Sequence, residues 1–380
     1  MTKADATPPA KPSKRGMVVA KIGTSSVTDR AGRIDHAAVQ KFCDGVAALR
    51  NDGHQVVVVT SGAISAGLPA LGWSGDRPRD AVTLQAVAAV GQARLLQVYE
   101  EALAHHDLVC GQVLLVPLDF MVRQQYLHAR GTLERLLELG VVPVVNENDA
   151  TADDEIRFGD NDRLAALVAH LVRADVLVLL TDTAGLYTAD PRIDEGASLI
   201  EEIVALDAEV SAEVGGAGTQ RGSGGMASKL AAARIAAWSG VRAVIASASR
   251  PGVLADAVAG EAGVGTIVRP LDRRLPARKL WIAFAVGSSG TVVVDEGARR
   301  ALVEGNRSLL PAGVVEVRGI FRADEAVEVS GPDGSVFAKG LVRCGSTDLA
   351  EMAGRHTSLL PAGAPHEVIH RDDLVVLPEG

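Results

Sequence analysis

Aromatic residues are scarce in this chain: three Trp, three Tyr and six Phe among 380 positions. A core of this size must then be built from Ala, Val, Leu and Ile, which suits a parallel sheet covered on both faces by helices. Cysteine is scarcer still. Cys43, Cys110 and Cys344 are odd in number, far apart and without CxxC spacing, which argues against a disulfide framework and a zinc site. Free thiols fit a reducing compartment, so a cytoplasmic protein is expected. No run of about 18 apolar residues occurs, so no membrane span is expected. Basic residues are outnumbered, and the formal net charge of -9 is a poor start for binding nucleic acid or an anionic membrane. What the chain has in excess is glycine, with 40 residues, which predicts many tight turns or close backbone approaches.

The amino-terminal stretch MTKADATPPAKPSKRG has no apolar segment of the secretory kind and reads as a disordered tail over residues 1–16. From Met17 two textures alternate. Short Val/Ile/Leu runs predict buried strands: MVVAKIG, HQVVVVTSG, VCGQVLLV, VVPVVNEND, DVLVLLTD and VRAVIAS. Segments of helical periodicity lie between them, such as HAAVQKFCDGVAALRNDG and NDRLAALVAHLVRA. The alternation predicts an α/β domain over residues 17–274, with a mostly parallel open sheet sandwiched by helices. RPLDRRLPARKLW breaks the texture, and residues 275–287 are expected to be a linker. Beyond it, GTVVVDEG, GVVEVRG, AVEVSG, VFAKGLVRC and DDLVVL, with a helical patch at STDLAEMAG, predict a small β-barrel-like domain over 288–380.

In an open α/β sheet, ligands bind beyond the carboxyl ends of the strands. Lys21 follows MVVA, where a buried cation is costly unless it meets an anion, and Gly23 would let backbone amides approach a phosphate. A lysine snorkelling from an edge strand is the plainer alternative. Ser61-Gly62-Ala63 follows VVVVT and is either an ordinary cap or a helix start that favours an anion. Asn146, Glu147, Asn148 and Asp149 follow VVPVV, with FGDND close behind. That mixture suits a ligand carrying both ammonium and carboxylate groups, with Asp149, Asn161 and Ser61 as its contacts. A competing reading takes Asp149, Asp160 and Asp162 as hard oxygen ligands of a metal, although their spacing matches no EF-hand loop. Thr181 and Asp182 follow DVLVLL and could accept from a ribose or base, or simply cap the next turn.

The last candidate is GTQRGSGGMASKLAAARIAAW, where a glycine-rich stretch runs into a helix. It lacks the Walker pattern GxxxxGK[ST], because Ser228 precedes Lys229. Ser223 to Ser228 would still aim backbone amides, and Lys229 a cation, at an anion. A disordered loop followed by a solvated lysine is the alternative. Two cations at strand and helix ends of one sheet are what phosphoryl transfer asks for, since its catalysis is mostly positioning and cationic clamping.

Six segments in order are similar to the amino acid kinase family: VVAKIGTSSVT, VVVVTSGAISAG, VVPVVNENDA, FGDNDRLAALVA, LLTDTAGLYTADPR and GSGGMASKLAAARIA. They span most of Met17 to about Val268. The stretch from GTVVVDEGARRAL through RDDLVVL resembles a PUA domain, a module otherwise known from RNA-modifying proteins. The resemblance implies the family's fold and ATP as co-substrate with Mg²⁺. In the branch this chain looks like, it implies phosphorylation of the γ-carboxylate of L-glutamate to γ-glutamyl phosphate, the first step of proline biosynthesis. Such a nucleophile is already ionised at pH 7, so no general base is required.

By the same resemblance, Lys21 and Lys229 would be catalytic, stabilising the transferring phosphoryl group, with Asp162 holding both. Ser61, Asp149 and Asn161 would bind substrate. ATP would contact Lys21, Thr181, Asp182, Ser223, Gly224, Gly225, Met226, Ala227, Ser228 and Lys229, with Mg²⁺ held by phosphates and water rather than by protein ligands. Relatives often carry Thr in place of Ser223, which keeps the hydroxyl. Feedback inhibition by proline, a homodimer or homotetramer, and a glutamyl phosphate reductase partner are also implied. Sister kinases acting on N-acetylglutamate, aspartate or uridylate share the fold, but the acidic NENDA and GDND segments suit a free ammonium better than an acetylated amine. RNA binding through the PUA-like tail is the other reading. Acidic residues outnumber basic ones there, which argues against it.

Overall fold

A computed structural model describes residues 15–380 apart from 30, 74, 152–160, 190–193, 195, 205–223, 272–273, 361–364 and 378–380. Of the expected tail, only Arg15 and Gly16 lie among the described residues.

The apolar runs form the strands expected of them. β1 is Met17–Ile22, β2 Gln55–Val59, β3 Cys110–Leu115, β4 Val142–Glu147, β5 Val176–Thr181, β6 Glu202–Ile203, β7 Arg242–Ser247 and β8 Thr266–Val268. They make one eight-stranded sheet in the order β3-β4-β2-β1-β5-β7-β8-β6. All neighbours are parallel except β7 and β8, which run antiparallel. β1 pairs with β2 on one side and β5 on the other, so later connections leave it in opposite directions. The crevice beyond its carboxyl end is the switch point at which such sheets bind ligands.

Each face of the sheet has its own apolar core. On one face, Val19, Val57, Leu177 and Leu179 pack against Leu164, Leu167 and Leu171 of the helix Asn161–Leu171, with Ala233, Ile235 and Ala236 of the helix Gly224–Trp238. On the other, Val18, Val56, Val58 and Val178 pack against Phe42, Cys43 and Val46 of the helix His36–Asn51, and Leu95 and Tyr99 of the helix Ala81–Ala104. Alternate residues of one strand thus feed different cores, which is why these strands read as unbroken apolar runs.

One close approach sets the site. The helix Ala63–Ala70 lies backbone to backbone on Ala81–Ala104. A Cβ on Gly91 would stand 1.7 Å from the Ala63 carbonyl oxygen, and one on Gly67 would stand 2.1 Å from that of Val87. Gly62, with φ 113°, turns the chain from the β2 end into this helix.

The second sheet has five strands: β9 Gly290–Val294, β10 Val314–Gly319, β11 Ala326–Ser330, β12 Val336–Leu341 and β13 Leu374–Val376, in the order β10-β9-β11-β12-β13. Its pairs are antiparallel save β9 with β11. Val292, Phe321, Val329, Phe337 and Leu349 form its own core.

The stretch expected as a linker, 275–287, contains a helix Ala277–Leu280 and a π-helical turn Trp281–Ala285. Leu280, Trp281 and Ile282 are buried in one cluster with Ala326, Leu341 and Val375 of the second sheet. Arg278 pairs with Asp373 at 2.7 Å, and Lys339 donates to the Val286 carbonyl. Two prolines and a run of arginines mark a boundary in the sequence, but the apolar LWIAF segment that follows them is buried in one cluster with residues of both sheets.

Candidate active site

The carboxyl end of β1 carries Lys21, and its burial is made tolerable by Asp162, the second residue of the helix Asn161–Leu171. Lys21 Nζ is 2.5 Å from Asp162 Oδ1. Lys229, near the start of the helix Gly224–Trp238, places its Nζ 2.9 Å from Asp162 Oδ2. Ser228 Oγ donates to the same oxygen at 3.2 Å. Asp162 has no exposed surface. Burial alone would push its carboxyl up, but the neighbouring Lys21 and Lys229 ammonium groups outweigh that and hold it below the usual carboxylate value. One carboxylate between two ammonium groups leaves net positive charge at the switch point. It also makes Asp162 an ion-pair partner, so the reading that grouped it with Asp149 and Asp160 as a metal site loses that ligand. Asp160 lies outside the described residues. No group of three or more His, Cys, Asp or Glu suited to a metal occurs among the described residues.

Lys21 and Lys229 line a cavity of about 400 Å³ together with Gly23, Ser61, Gly62, Ala63, Glu147, Asp149 and Asn161. The structure thus brings together residues expected from three strand ends, those of β1, β2 and β4, and from the starts of two helices. Away from the lysines the walls are held by neutral amides. Asn161 Nδ2 donates to the Thr60 carbonyl at 2.6 Å, to Ser61 Oγ at 2.9 Å and to Asn146 Oδ1 at 2.6 Å. Thr60 is itself fixed by the buried Tyr99 hydroxyl at 2.7 Å. The helix Ala63–Ala70 opens on the cavity, and the first amides of its opening turn have no carbonyl one turn back to bond.

Thr181 and Asp182 stand at the end of β5, where Thr181 Oγ1 donates to Asp182 Oδ1 at 3.0 Å. They line a different, larger cavity of about 630 Å³ between the helices His36–Asn51 and Val253–Ala259, alongside Ser25, Ser26, Lys41 and Arg250. Gly224, Gly225, Met226 and Ala227 form the first turn of the helix that presents Ser228 and Lys229. Ser223 lies outside the described residues.

Sequence reasoning did not single out Arg77, which lines the smaller cavity beside Ser65. A basic residue in the polar GDRPRD segment, close to the chain's small-residue loop at Ser61, was the available signal. It also passed over Gln92 and Gln112, which lie behind Asn146.

The amino acid kinase family model matches residues 16–247, and the PUA domain model matches residues 290–363. The chain is 44% identical to a glutamate 5-kinase of Pelobacter propionicus over 364 residues, covering 95% of this chain and 97% of that one. It is 46% identical to a glutamate 5-kinase of Burkholderia lata over 369 residues, covering 96% and 98%. A carbamate kinase from Giardia lamblia, solved with AMP-PNP bound, superposes with a TM-score of 0.51 at 17% identity, over 67% of this chain and 98% of that one. That likeness carries the fold alone.

Proposed function

Because this chain belongs to the amino acid kinase family, we propose that it transfers the γ-phosphoryl group of ATP to the side-chain carboxylate of L-glutamate, forming γ-glutamyl phosphate. The observation that carries the reading is a single cavity with two lysines bridged by one carboxylate at one end and an amide-lined pocket at the other. Phosphoryl transfer spreads charge over three equatorial oxygens, and fixed cations on either side stabilise that charge. Lys21 would act from the β1 end and Lys229 from its helix. Asp162 keeps the two ammonium groups apart and oriented, so no reorganisation is needed when the charge develops.

The acceptor carboxylate is ionised near neutrality and attacks without a general base. Asp149 and the Asn161 side-chain oxygen would receive the substrate ammonium. Ser61 and the opening amides of Ala63–Ala70 would receive its α-carboxylate. Arg77 stands at the same cavity, where it would draw in a substrate with two carboxylates and a net negative charge. ATP would reach the lysines from Thr181 and Asp182, with Ser223 through Lys229 along its phosphates. The described residues offer no cage for Mg²⁺. Mg²⁺ would be held largely by phosphate oxygens and water, and its part would be to neutralise phosphate charge.

The reading keeps the chemistry in residues 17–274. Residues 288–380 contribute nothing to the described cavity walls, and we assign them to assembly or regulation. It includes proline as an inhibitor competing for the ammonium and carboxylate contacts, a homo-oligomer, and a reductase that takes the labile acyl phosphate. A cytoplasmic setting accords with three unpaired cysteines. No helix among the described residues is long and apolar enough to cross a membrane.

The test is to incubate the protein with ATP, Mg²⁺ and hydroxylamine and offer L-glutamate, N-acetyl-L-glutamate, L-aspartate or no acceptor. Acyl phosphate is trapped as hydroxamate while ADP is followed. Signal with free L-glutamate alone is the expected result. Signal with another acceptor overturns the substrate, and no signal with any acceptor overturns the reaction.

A further inference from the structure

Behind the amide-lined end of the cavity lies a chain of side-chain amides that the reaction itself does not use. Gln92, buried in the middle of Ala81–Ala104, accepts from Asn146 Nδ2 at 3.2 Å and from Gln112 Nε2 at 3.3 Å. Its own Nε2 donates to the Glu147 carbonyl at 3.2 Å. Asn146 Oδ1 in turn accepts from the Glu147 backbone N–H at 2.9 Å and from Asn161 Nδ2 at 2.6 Å. Each amide therefore has one anchor on the backbone. The Glu147 carbonyl requires the NH₂ of Gln92, the Glu147 N–H requires the oxygen of Asn146, and the Thr60 carbonyl requires the NH₂ of Asn161.

These anchors agree with one another. Turning any one amide over sets like against like at its neighbour. Turning all three over leaves the Glu147 and Thr60 backbone groups facing the wrong partners. Burial makes either choice costly, because Gln92 is 7% exposed and Asn146 is 2% exposed. The direction of the Asn161 amide is thus fixed by its own Thr60 anchor together with the Asn146 oxygen behind it. Its NH₂ is committed to Thr60, Ser61 and Asn146, and no described group donates to its side-chain oxygen.

We propose that Gln92 is a positioning residue that fixes the polarity of the substrate pocket, so that Asn161 presents only an acceptor and the pocket selects a ligand with an α-ammonium donor. The inference rests on the reading of the substrate as glutamate. A dicarboxylate without the ammonium, such as glutarate, gains nothing from that acceptor. Gly91 is what makes the reach available. With no Cβ there, Ala81–Ala104 seats against the Ala63 carbonyl, and Gln92 is carried onto the end of β4.

The experiment measures kcat and KM for L-glutamate, and the inhibition constant of glutarate against it, in the full-length protein and two variants. In Gln92→Leu, Asn146 keeps its Glu147 anchor but its buried NH₂ loses its acceptor, so the oxygen that Asn161 donates to is held less firmly. KM for glutamate is expected to rise ~10-fold or more, the scale of weakening a hydrogen bond to a charged group. Its kcat and the glutarate constant are expected to hold within about threefold. Gln112→Leu removes only the second donor to Gln92 from an exposed position, so it folds even if the buried change does not. It should shift KM the same way by about twofold to fivefold.

Equal weakening of glutamate and glutarate would make Gln92 a packing residue and overturn the proposal. So would an unchanged KM in Gln92→Leu or, should that variant fail to fold, in Gln112→Leu. A parent protein that forms no γ-glutamyl hydroxamate removes the substrate reading and this inference with it. A parent that does form it, beside variants with unshifted KM, removes the inference alone.

Discussion

The two ends of the smaller cavity are built on opposite electrostatic plans. At one end three charged side chains, Lys21, Asp162 and Lys229, are buried together in two ion pairs. At the other, Gln92, Asn146, Asn161 and Ser61 hold one another by neutral hydrogen bonds. Buried ions supply field strength, which acts on charge that develops during a reaction. Buried amides supply direction, since each donates from one side and accepts on the other. The contrast implies a division of labour: the charged end should govern turnover, and the amide end should govern which ligand is held.

The sharpest way to break this division is at the charged end. Replacing Lys229 or Lys21 with Ala should lower kcat by on the order of 10²–10³, the scale of losing one transition-state stabiliser. Near-normal turnover in steady-state assays of either variant would remove the role. Asp162→Asn leaves both lysines but removes the charge that spaces them, and should lower kcat by ~10-fold or more through misplaced cations.

The Asp162 variant also carries a pH signature. Asp162 is held below its ordinary value of 3.8 in the folded chain, so it binds its proton more readily when unfolded. Its contribution is fully present above that unfolded value and is lost as pH falls below it toward the folded value. Thermal melts at descending pH should therefore show the parent losing more stability than Asp162→Asn below about pH 4. Parallel curves would mean the ion pairs contribute nothing net to folding, an outcome known for buried pairs elsewhere.

At the charged end, buried charge at strand and helix ends marked Lys21 and Lys229, whereas the residues alone offered Asp162 as a metal ligand and only the family resemblance paired it with the lysines. Lys21, Asp162 and Lys229 all stand where an apolar strand or helix meets polar residues. The amide end was only half legible. Asn161, Asp149 and Ser61 follow strands and drew attention, whereas Gln92 sits within QAVAAVGQARLLQV, where one glutamine resembles another. Gln85 and Gln97 occupy the same helix, and only tertiary packing turns Gln92 inward.

Architecture divides the same way. Six long strands announced themselves, but β6, with two residues, and β8, with three, are too short for periodicity to register. The helix Ala277–Leu280 was masked by the prolines and arginines around it, since composition reports local chain character and not which apolar residues find a distant sheet.

At the amide end the division predicts the opposite kinetic pattern. Asp149→Asn should raise KM for glutamate by roughly 10-fold while kcat changes little, because it removes binding common to ground and transition states. A matching fall in kcat with unchanged KM would place Asp149 with the phosphoryl group instead and dissolve the boundary between the two ends.

The smallest expected effect comes from a third buried lysine that follows neither plan. Lys339 of β12 donates to the Val286 carbonyl, with Glu328 opposite it in the sheet and Arg163 near enough to oppose its charge. Burial pulls its ammonium down to about 8, because Glu328 offsets the desolvation only in part. The unfolded chain binds this proton more tightly than the folded one. Lys339 therefore costs stability below about pH 8, and the cost disappears as pH rises toward the unfolded value of 10.5.

Lys339→Met should accordingly stabilise the protein at pH 7, by about 1 kcal/mol once the lost bond to Val286 is set against the gain. The advantage should shrink as melts are repeated toward pH 10. A variant that is less stable at pH 7 would mean the Val286 bond and Glu328 together outweigh the burial. Lys339 would then belong with Lys21 and Lys229, as a cation whose surroundings were built to hold it.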